Sequence, residues 1–409
     1  MRPSISSSLS EWLQYIEAIH LSEIDLGLER LQQVSSRLFS APVDSFVYTV
    51  AGTNGKGTTT AVLSALSMAA GLRVGWYSSP HIHRFNERVR INGIPVSDQA
   101  LVKAFSRVEQ ARDEVSLSYF EYTTLAAFLV FAERNLDVWV LEVGLGGRLD
   151  AVNIIDPDIS IITSIGMDHE DFLGNDIDGI GQEKAGIARQ GAPLILGKDA
   201  DIKGVIETAE AASAMIQSFG ETHGVSGNEL FWQSQRLIIE DIAIPKINAA
   251  CALQAFAQGP GDLLLGQIRS VLQNLKMSGR LQRVSIGSSE VVLDVGHNPH
   301  AGAYICSELA GRQYHLIIGM LNNKDVAGFV RELQPICHSL SFVTLDVTKG
   351  NSAGTMQALY QDVDSETFAS VGEALDALSH RYPSEDLFVG GSFYTVQQAL
   401  DWLEHSRGS

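Results

Sequence analysis

The sequence has few cysteines, and those it has are not arranged for disulfide or metal chemistry. Among 409 residues there are only Cys251, Cys306 and Cys337, which are odd in number and far apart. Such residues form neither a disulfide framework nor a C-x-x-C metal motif. We therefore expect them to be small buried thiols in a reducing compartment.

Long hydrophobic segments are also missing. The longest uninterrupted apolar run, residues 125–132, is far shorter than the roughly 20 residues that span a bilayer. The N-terminus leads through serines into an amphipathic pattern and contains no apolar signal core. These absences predict a cytoplasmic protein that does not contact a membrane.

Basic residues are outnumbered by acidic ones. The chain has 29 Lys and Arg against 48 Asp and Glu, a formal net charge of −19. This charge excludes a general nucleic-acid surface. An anionic substrate must instead be bound by local basic groups and metal ions. We expect a monomer.

The length and the alternation of strand and helix patterns predict an α/β protein of two domains. We assign residues 1–286 to the first domain and residues 291–409 to the second. The linker is assigned to residues 287–290, because Gly287, Ser288 and Ser289 form a flexible stretch between two patterned regions.

One glycine-rich loop organises the first domain. Residues 46–50 are apolar and β-branched, which predicts a buried strand, and residues 58–70 predict a helix that ends at Gly71. Between them lies the sequence Gly-Thr-Asn-Gly-Lys-Gly-Thr, residues 52–58. Backbone N–H groups, the helix N-terminus and Lys56 together favour phosphate binding. Gly57 replaces the usual Ser or Thr, so metal ligands must come from elsewhere.

Three candidate metal ligands follow other predicted strands. Ser79 follows residues 73–77, Glu142 ends the strand predicted at 137–143, and His169 follows residues 159–164. Ligands of α/β sheets bind at the carboxyl ends of parallel strands, and an acid there is suited to Mg²⁺. Taken singly, Ser79 is equally explained as a turn residue and His169 as a structural histidine.

Several longer motifs, taken together, are specific to one protein family. The chain resembles the folylpolyglutamate synthase family, and its residues 118–122 are closest to the bacterial bifunctional form, dihydrofolate synthase/folylpolyglutamate synthase. The motifs that carry the resemblance lie at residues 51–58, 77–81, 141–151, 168–169, 183–186, 294–299 and 391–393.

The resemblance implies a Mur ligase fold: a P-loop ATPase domain with a mostly parallel sheet, followed by a smaller C-terminal α/β domain of Rossmann-like type. It also implies that ATP and Mg²⁺ are used to join L-glutamate to 7,8-dihydropteroate, giving dihydrofolate, and to reduced folates, giving a polyglutamate tail. Both reactions would pass through an acyl phosphate.

Site residues follow from the same resemblance. The nucleotide would be bound by Thr53, Asn54, Gly55, Lys56, Gly57, Thr58, Asn248, Arg280 and Asp294. Metal contacts would come from Ser79, Glu142, His169 and Lys184, with two metal sites possible. Substrates would contact Ser118, Tyr119, Phe120, Glu121, Leu149, Asp150, Ala151, His297 and Ser392, and the catalytic residues would be Lys56, Lys184 and His297.

The sequence leaves alternatives open for Lys184 and for the function of the protein. Lys184 is either carbamylated, and so able to bind metal, or an unmodified lysine that pairs with Glu183 or a phosphate. The enzyme is either bifunctional or a monofunctional folylpolyglutamate synthase. A more distant Mur-like amide ligase, a P-loop kinase and a non-catalytic nucleotide-binding module are the other hypotheses, although the second domain and the His-Asn-Pro turn at residues 297–299 disfavour the kinase.

Overall fold

A computed structural model describes residues 2–20, 27–240 and 242–407. Its internal contacts divide the chain into two compact units, Met1–Leu275 and Lys276–Ser409. The predicted linker at 287–290 lies inside the second unit, where it forms the turn of a hairpin and the beginning of the following strand. The composition of this hairpin turn resembles that of a linker, which explains the difference.

The first unit alternates helices and strands. Its helices are α1 (Leu9–Ala18), α2 (Glu29–Leu38), α3 (Lys56–Ala69), α4 (Asp98–Arg112), α5 (Tyr119–Ala132), α6 (Glu170–Leu173), α7 (Ile177–Ala185), α8 (Lys203–Ala211), α9 (Lys246–Phe256) and α10 (Leu265–Asn274). Its strands are β1 (Phe46–Ala51), β2 (Val74–Tyr77), β3 (Val89–Ile91), β4 (Ile94–Pro95), β5 (Val138–Glu142), β6 (Ile159–Ile162), β7 (Pro193–Leu196), β8 (Met215–Gln217), β9 (His223–Ser226), β10 (Glu229–Trp232) and β11 (Gln235–Ile238).

Eight of these strands form the central sheet, in the order β4-β3-β2-β5-β1-β6-β7-β8. All neighbours from β2 to β8 pair in parallel, whereas β3 and β4 complete an antiparallel edge. The central strands β1, β5 and β6 are almost entirely apolar and buried, as expected for a parallel sheet covered by helices on both faces. Strands β9, β10 and β11 form a separate antiparallel sheet.

The second unit is a smaller α/β layer structure. Its strands are β12 (Gln282–Ile286), β13 (Ser289–Asp294), β14 (Tyr314–Ile318), β15 (Cys337–Val343), β16 (Ser365–Phe368) and β17 (Leu387–Gly390). Its helices are α11 (Pro299–Glu308), α12 (Val326–Leu333), α13 (Ala353–Leu359), α14 (Val371–Arg381) and α15 (Phe393–Arg407). The sheet order is β12-β13-β17-β14-β15-β16, parallel except for β12, and apolar clusters pack on both faces.

The predicted elements around the glycine loop are confirmed. Strand β1 and helix α3 begin and end within two residues of the predicted bounds, and Gly71 follows the last turn of α3 with φ +82°. The α/β fold class, with a mostly parallel sheet in each unit, is also confirmed. In the described ranges, no helix is both long and apolar enough to cross a bilayer.

Two glycines at the second position of a helix provide a matched test of packing. A Cβ on Gly204 of α8 would lie 2.0 Å from the backbone oxygen of Asp178, whereas a Cβ on Gly266 of α10 would meet nothing within 4 Å. We expect Gly204→Ala to lower the free energy of unfolding by about 2 kcal/mol or more, because backbone must move. Gly266→Ala should leave it unchanged or raise it by up to about 1 kcal/mol.

Chemical denaturation of both variants checks this prediction. Equal effects of the two substitutions would show that the close approach of α8 to residue 178 does not constrain the fold.

Candidate active site

The candidate site is built on four adjacent strands whose carboxyl ends lie in one row. In the order β2-β5-β1-β6, the glycine loop follows β1, and Ser79 lies two residues beyond the end of β2. Strand register places Glu142 opposite Val50, at the end of β5. Asp168 and His169 follow β6. Parallel pairing therefore gathers segments that are far apart in sequence.

The glycine loop has a backbone that requires glycine at two positions. Gly52 has φ +141°, and a Cβ there would lie 2.0 Å from the hydroxyl oxygen of Thr163. Gly55 has φ +88°, and a Cβ there would lie 2.1 Å from Nδ2 of Asn248. Asn248, on α9, also donates to the carbonyl of Gly55 at 3.4 Å and to the hydroxyl of Thr59 at 3.3 Å. The predicted nucleotide residue Asn248 thus contacts the loop itself.

Lys56 folds over the loop that carries it. Its ammonium donates to the carbonyls of Gly52 at 2.9 Å and Thr53 at 3.2 Å. Lys56 and Gly57 begin α3, so the N-terminal end of this helix and its partial positive charge point to the same place. Thr58 is buried in the first turn. This arrangement is the one that binds polyphosphate.

Two hydroxyl residues that sequence reasoning missed hold the loop in place. The hydroxyl of Thr163 donates to the carbonyl of Asn54 at 2.6 Å, and the N–H of Asn54 donates to Oγ of Ser164 at 3.0 Å. The hydroxyl of Thr53 donates to Gly166 O and accepts from Gly166 N–H, both at 3.0 Å. The only sequence signal for this support was a pair of hydroxyl residues at the end of β6.

Lys184 lies beneath the loop and is only 4% exposed. Its ammonium donates to the carbonyl of Gly52 at 3.4 Å. Burial, helped by the positive charge of Lys56 and opposed by Asp168 and Asp150, lowers the pKa of Lys184 to about 7. Glu183, which the sequence offered as an ion-pair partner, instead pairs with Arg148 at 2.6 Å. Lys184 is therefore a buried amine that is largely uncharged just above neutral pH.

The three predicted metal ligands are compatible with a divalent cation. Glu142 is 3% exposed, and its Oε2 accepts from the N–H of Ser79 at 3.3 Å, so these two residues are in contact. His169, at φ +55°, lies beside Asp168 in the segment that follows β6. A buried carboxylate, a hydroxyl and an imidazole form a donor set that suits Mg²⁺ or Mn²⁺.

A small cleft lies between the glycine loop and the strand ends. It brings together Lys56, Lys184 and His169 from three of the predicted groups, and its full lining is Gly52, Thr53, Lys56, Val143, Gly144, Leu145, Gly146, Asp168, His169 and Lys184. Lys56 of the loop, His169 and Lys184 thus line one space, whereas Ser79 and Glu142 lie outside this lining.

The residues predicted to bind the pterin divide into two roles. Ser118 caps α5 and forms a reciprocal capping box with Glu121, which is also paired with Arg30 at 3.1 Å. Ser118 and Glu121 are therefore occupied in holding the start of α5. Tyr119 lies 5.7 Å from the guanidinium of Arg88, and Phe120 lies against Gly144 of the cleft. Tyr119 and Phe120 are both half-buried.

Asp150 has a structural role that the sequence did not indicate. Its carboxylate accepts from the N–H groups of Gly144 at 3.1 Å, Leu145 at 2.9 Å and Val152 at 2.9 Å. Burial raises its pKa to about 6, against the effect of those hydrogen bonds. Asp150 thus fixes the loop that lines the cleft. Its neighbours Leu149 and Ala151 are half-buried and buried.

The three arginines at residues 84–90 all contact other side chains of the protein. Arg84 pairs with Asp98 at 3.0 Å, and the guanidinium of Arg90 lies 5.2 Å from the ring of Trp76. Arg88 donates to His81 at 2.9 Å and also faces Tyr119. Of these three arginines, Arg88 is the one placed beside a predicted pterin residue.

The second unit has its own cluster of predicted residues at the carboxyl ends of β13 and β17. Asp294 is buried and accepts from Gly296 N–H at 2.7 Å and Leu281 N–H at 2.8 Å. Burial raises the pKa of this carboxyl, while the neighbouring Arg280 lowers it. The guanidinium of Arg280 in turn lies 5.5 Å from the ring of Phe393.

His297 and Ser392 follow these two paired strands, where Asp294 is opposite Gly390. Nδ1 of His297 contacts the carbonyl of Val295 at 2.9 Å. Ser392 is buried, and its Oγ accepts from the N–H of Thr395 at 3.0 Å at the start of α15. Both residues therefore lie at the same sheet edge of the second unit.

Comparison with known proteins identifies related domains in both units. Residues 50–241 match the Mur ligase middle domain, and residues 279–392 match the Mur ligase, glutamate ligase domain. The dihydrofolate synthase/folylpolyglutamate synthase of Escherichia coli (strain K12) is 39% identical over 415 residues, covering 99% of this chain and 98% of the relative.

Solved structures are similar over the whole chain. E. coli FolC in complex with DHPP and ADP has a TM-score of 0.94 and 38% identity, covering 99% of this chain and 100% of that chain. The bifunctional enzyme of Yersinia pestis, complexed with AMPPNP and Mn ion, has a TM-score of 0.92 and 38% identity, at 99% and 100% coverage. This chain, with its Mur ligase fold, therefore belongs to the dihydrofolate synthase/folylpolyglutamate synthase family.

Proposed function

We propose that this protein is an ATP-dependent ligase that joins L-glutamate to 7,8-dihydropteroate and, in a second activity, to reduced folates. The observation that carries the proposal is the row of strand ends that combines the phosphate loop with Glu142 and His169. Family membership supplies the acceptor and the amino acid. A monofunctional folylpolyglutamate synthase is the alternative, and acceptor specificity distinguishes the two.

The chemistry explains why a phosphate loop is needed. A carboxylate reacts poorly with an amine because its oxygen is a poor leaving group. Transfer of the γ-phosphoryl group to a carboxylate oxygen gives an acyl phosphate and ADP. The glutamate amine then attacks the carbonyl carbon, the C–O bond to phosphate breaks, and the amine proton is released. Such transfers are catalysed mostly by positioning and by neutralising charge.

The residues of this chain fit those tasks. In the proposal, Lys56 and the N–H groups of the loop hold the triphosphate, aided by the N-terminus of α3. Ser79, Glu142 and His169 hold Mg²⁺, which when bound supplies positive charge to the phosphates. Arg280 and Asp294 of the second unit contact the nucleotide, and His297 and Ser392 bind glutamate.

The pterin is proposed to lie against Tyr119 and Phe120. Tyr119 and the neighbouring Arg88 offer an aromatic face and a cation to the acceptor. Asp150 acts through the loop at Gly144 and Leu145, which its three hydrogen bonds hold in place. Within the same proposal the protein acts as a cytoplasmic monomer, and its three free cysteines fit a reducing compartment.

Lys184 fits a further modification. Only a neutral amine reacts with CO₂ to give a carbamate, and the low pKa of Lys184 makes its neutral form available near pH 7. The carbamate would convert a buried cation into an anion next to the candidate metal ligands. We therefore retain Lys184 as a proposed contact to a second Mg²⁺.

Release of inorganic phosphate tests the function directly. With ATP and Mg²⁺, we expect turnover with dihydropteroate and with tetrahydrofolate that requires L-glutamate. Lys56→Ala should lower kcat/KM for ATP by about 100-fold or more, because charge stabilisation in the transition state is lost. Lys203→Ala, at an exposed position on α8, is the matched control and should retain activity.

Absence of glutamate-dependent turnover with either acceptor would rule out the ligase. Turnover with tetrahydrofolate alone would instead identify the monofunctional enzyme, and full activity of Lys56→Ala would remove the glycine loop from the site.

The buried amine of Lys184 predicts a pH-dependent stability. Because its folded-state pKa of about 7 lies below the ordinary value of 10.5, the unfolded chain binds more protons between these two values. Stability from this group therefore rises with pH. In CO₂-free buffer we expect the wild type to gain about 2 kcal/mol in unfolding free energy over Lys184→Met between pH 7 and pH 9.

Denaturation curves at several pH values measure this difference, and Lys198→Met serves as the exposed control. Parallel curves for the wild type and Lys184→Met would mean that the amine has an ordinary pKa, which would remove the basis for its carbamylation.

A further inference from the structure

A cluster of three metal-binding side chains lies in the second unit, outside every group used above. His315, His338 and Glu385 each offer one ligand atom, and these atoms all lie within 4.8 Å of one another. His315 and His338 are the second residues of β14 and β15, and Glu385 precedes β17. The cluster thus lies at the amino ends of these parallel strands, at the sheet edge opposite to His297 and Ser392.

His315 is positioned as a metal-binding histidine usually is. It is 1% exposed and stacks on the ring of Tyr382, with centroids 3.8 Å apart and planes 16° apart. Its Nδ1 contacts the hydroxyl oxygen of Ser339 at 2.7 Å, and its Nε2 contacts Oε2 of Glu385 at 2.9 Å. A carboxylate only accepts, so Nε2–H donates to Glu385 while no metal is bound. A bound ion would displace this proton from Nε2, and Nδ1–H would then donate to the hydroxyl of Ser339.

An irregularity in the sheet directs the second histidine to the same place. Tyr314 is opposite Cys337 and His315 is opposite Ser339, so His338 is an extra residue in β15. A regular strand would direct His338 and Ser339 to opposite faces. Instead His315 contacts both of them, with its ring centroid 4.8 Å from that of His338. Bulges of this kind re-aim side chains next to functional sites.

Glu385 completes the cluster. Its carboxylate lies 2.9 Å from Nε2 of His315 and 3.9 Å from Nε2 of His338, and these imidazoles are its ion-pair partners in the described part of the chain. Its backbone N–H donates to Tyr382 O at 3.2 Å, which ties it to the residue that stacks on His315. Ligand atoms around a tetrahedral zinc ion lie about 3.4 Å apart. The distances from the Glu385 carboxylate to the two imidazole nitrogens, 2.9 Å and 3.9 Å, lie on either side of that value.

We propose that His315, His338 and Glu385 form a binding site for Zn²⁺. Two imidazole nitrogens and one carboxylate form a ligand set that suits this ion, whereas Mg²⁺ is bound mainly by oxygen ligands, of which this cluster has one residue. The fourth position faces solvent, because His338 and Glu385 are both exposed. A bound ion would tie β14, β15 and the segment before β17 together, and would stabilise the second unit at the edge away from catalysis.

Competition with a chromophoric zinc chelator tests the site, using full-length protein without a histidine tag. Measurements are made in excess Mg²⁺, so that the ligands around Glu142 are occupied. We expect the wild type to bind one zinc ion that His338→Ala and Glu385→Gln bind at least about 10-fold more weakly. Both substitutions are at exposed positions, and neither residue belongs to the proposed catalytic site.

Two further variants make the result specific. His405→Ala removes an exposed histidine of α15 and should leave the zinc affinity unchanged. His169→Ala should also retain this zinc ion, because it alters only the candidate magnesium site. Zinc should raise the melting temperature of the wild type and of these two controls, but not of His338→Ala.

Absence of zinc binding to the wild type would overturn the proposal. Equal affinities in the wild type, His338→Ala and Glu385→Gln would also overturn it, since the ion would then be bound elsewhere.

Discussion

Parallel pairing of β1 with β5 and β6 is the constraint on which the candidate site depends. It places Val50 opposite Glu142 and Ala51 opposite Ile162, so that the segments after three strands emerge at one edge. No pair of these segments is close in sequence. The hydroxyls of Thr163 and Ser164 then fix the glycine loop to the end of β6. A shift of one residue in this register would move Glu142 to the other face of the sheet.

The charge around the glycine loop differs from that of the chain as a whole. The protein is strongly acidic, yet the floor of the cleft carries Lys56 and Lys184. Burial lowers the pKa of Lys184 to about 7, which reduces its positive charge near neutral pH. Burial also raises the pKa of Asp150. A site with two amines and a buried acid can accept an anionic triphosphate and a metal ion without a strong fixed charge of its own.

Much of this arrangement was predictable from sequence, because it depends on local patterns. The strand, glycine loop and helix at residues 46–70 have a strong apolar period and a lysine in a recognisable place. Contacts between distant segments were not predictable. Glu183 pairs with Arg148 instead of Lys184. Asp150 accepts three backbone hydrogen bonds that no sequence pattern predicts. The division between the units was misplaced because a hairpin turn and a linker share the same glycine and serine composition.

The bulge in β15 is a second feature that the sequence does not predict. Sequence places His315 and His338 on different strands and gives no register between them, and only the extra residue in β15 directs both toward Glu385. Irregular pairing is a property of two strands together and is not encoded in either one alone.

The central claim is that the acceptor carboxylate is activated by phosphoryl transfer. Dihydropteroate labelled with ¹⁸O in its carboxylate tests it most directly, with ATP, Mg²⁺ and L-glutamate present and the released phosphate analysed by mass spectrometry. We expect one ¹⁸O atom per turnover to appear in inorganic phosphate, because the C–O bond breaks when the amine displaces the phosphate. Unlabelled phosphate released together with a glutamylated product would contradict the account.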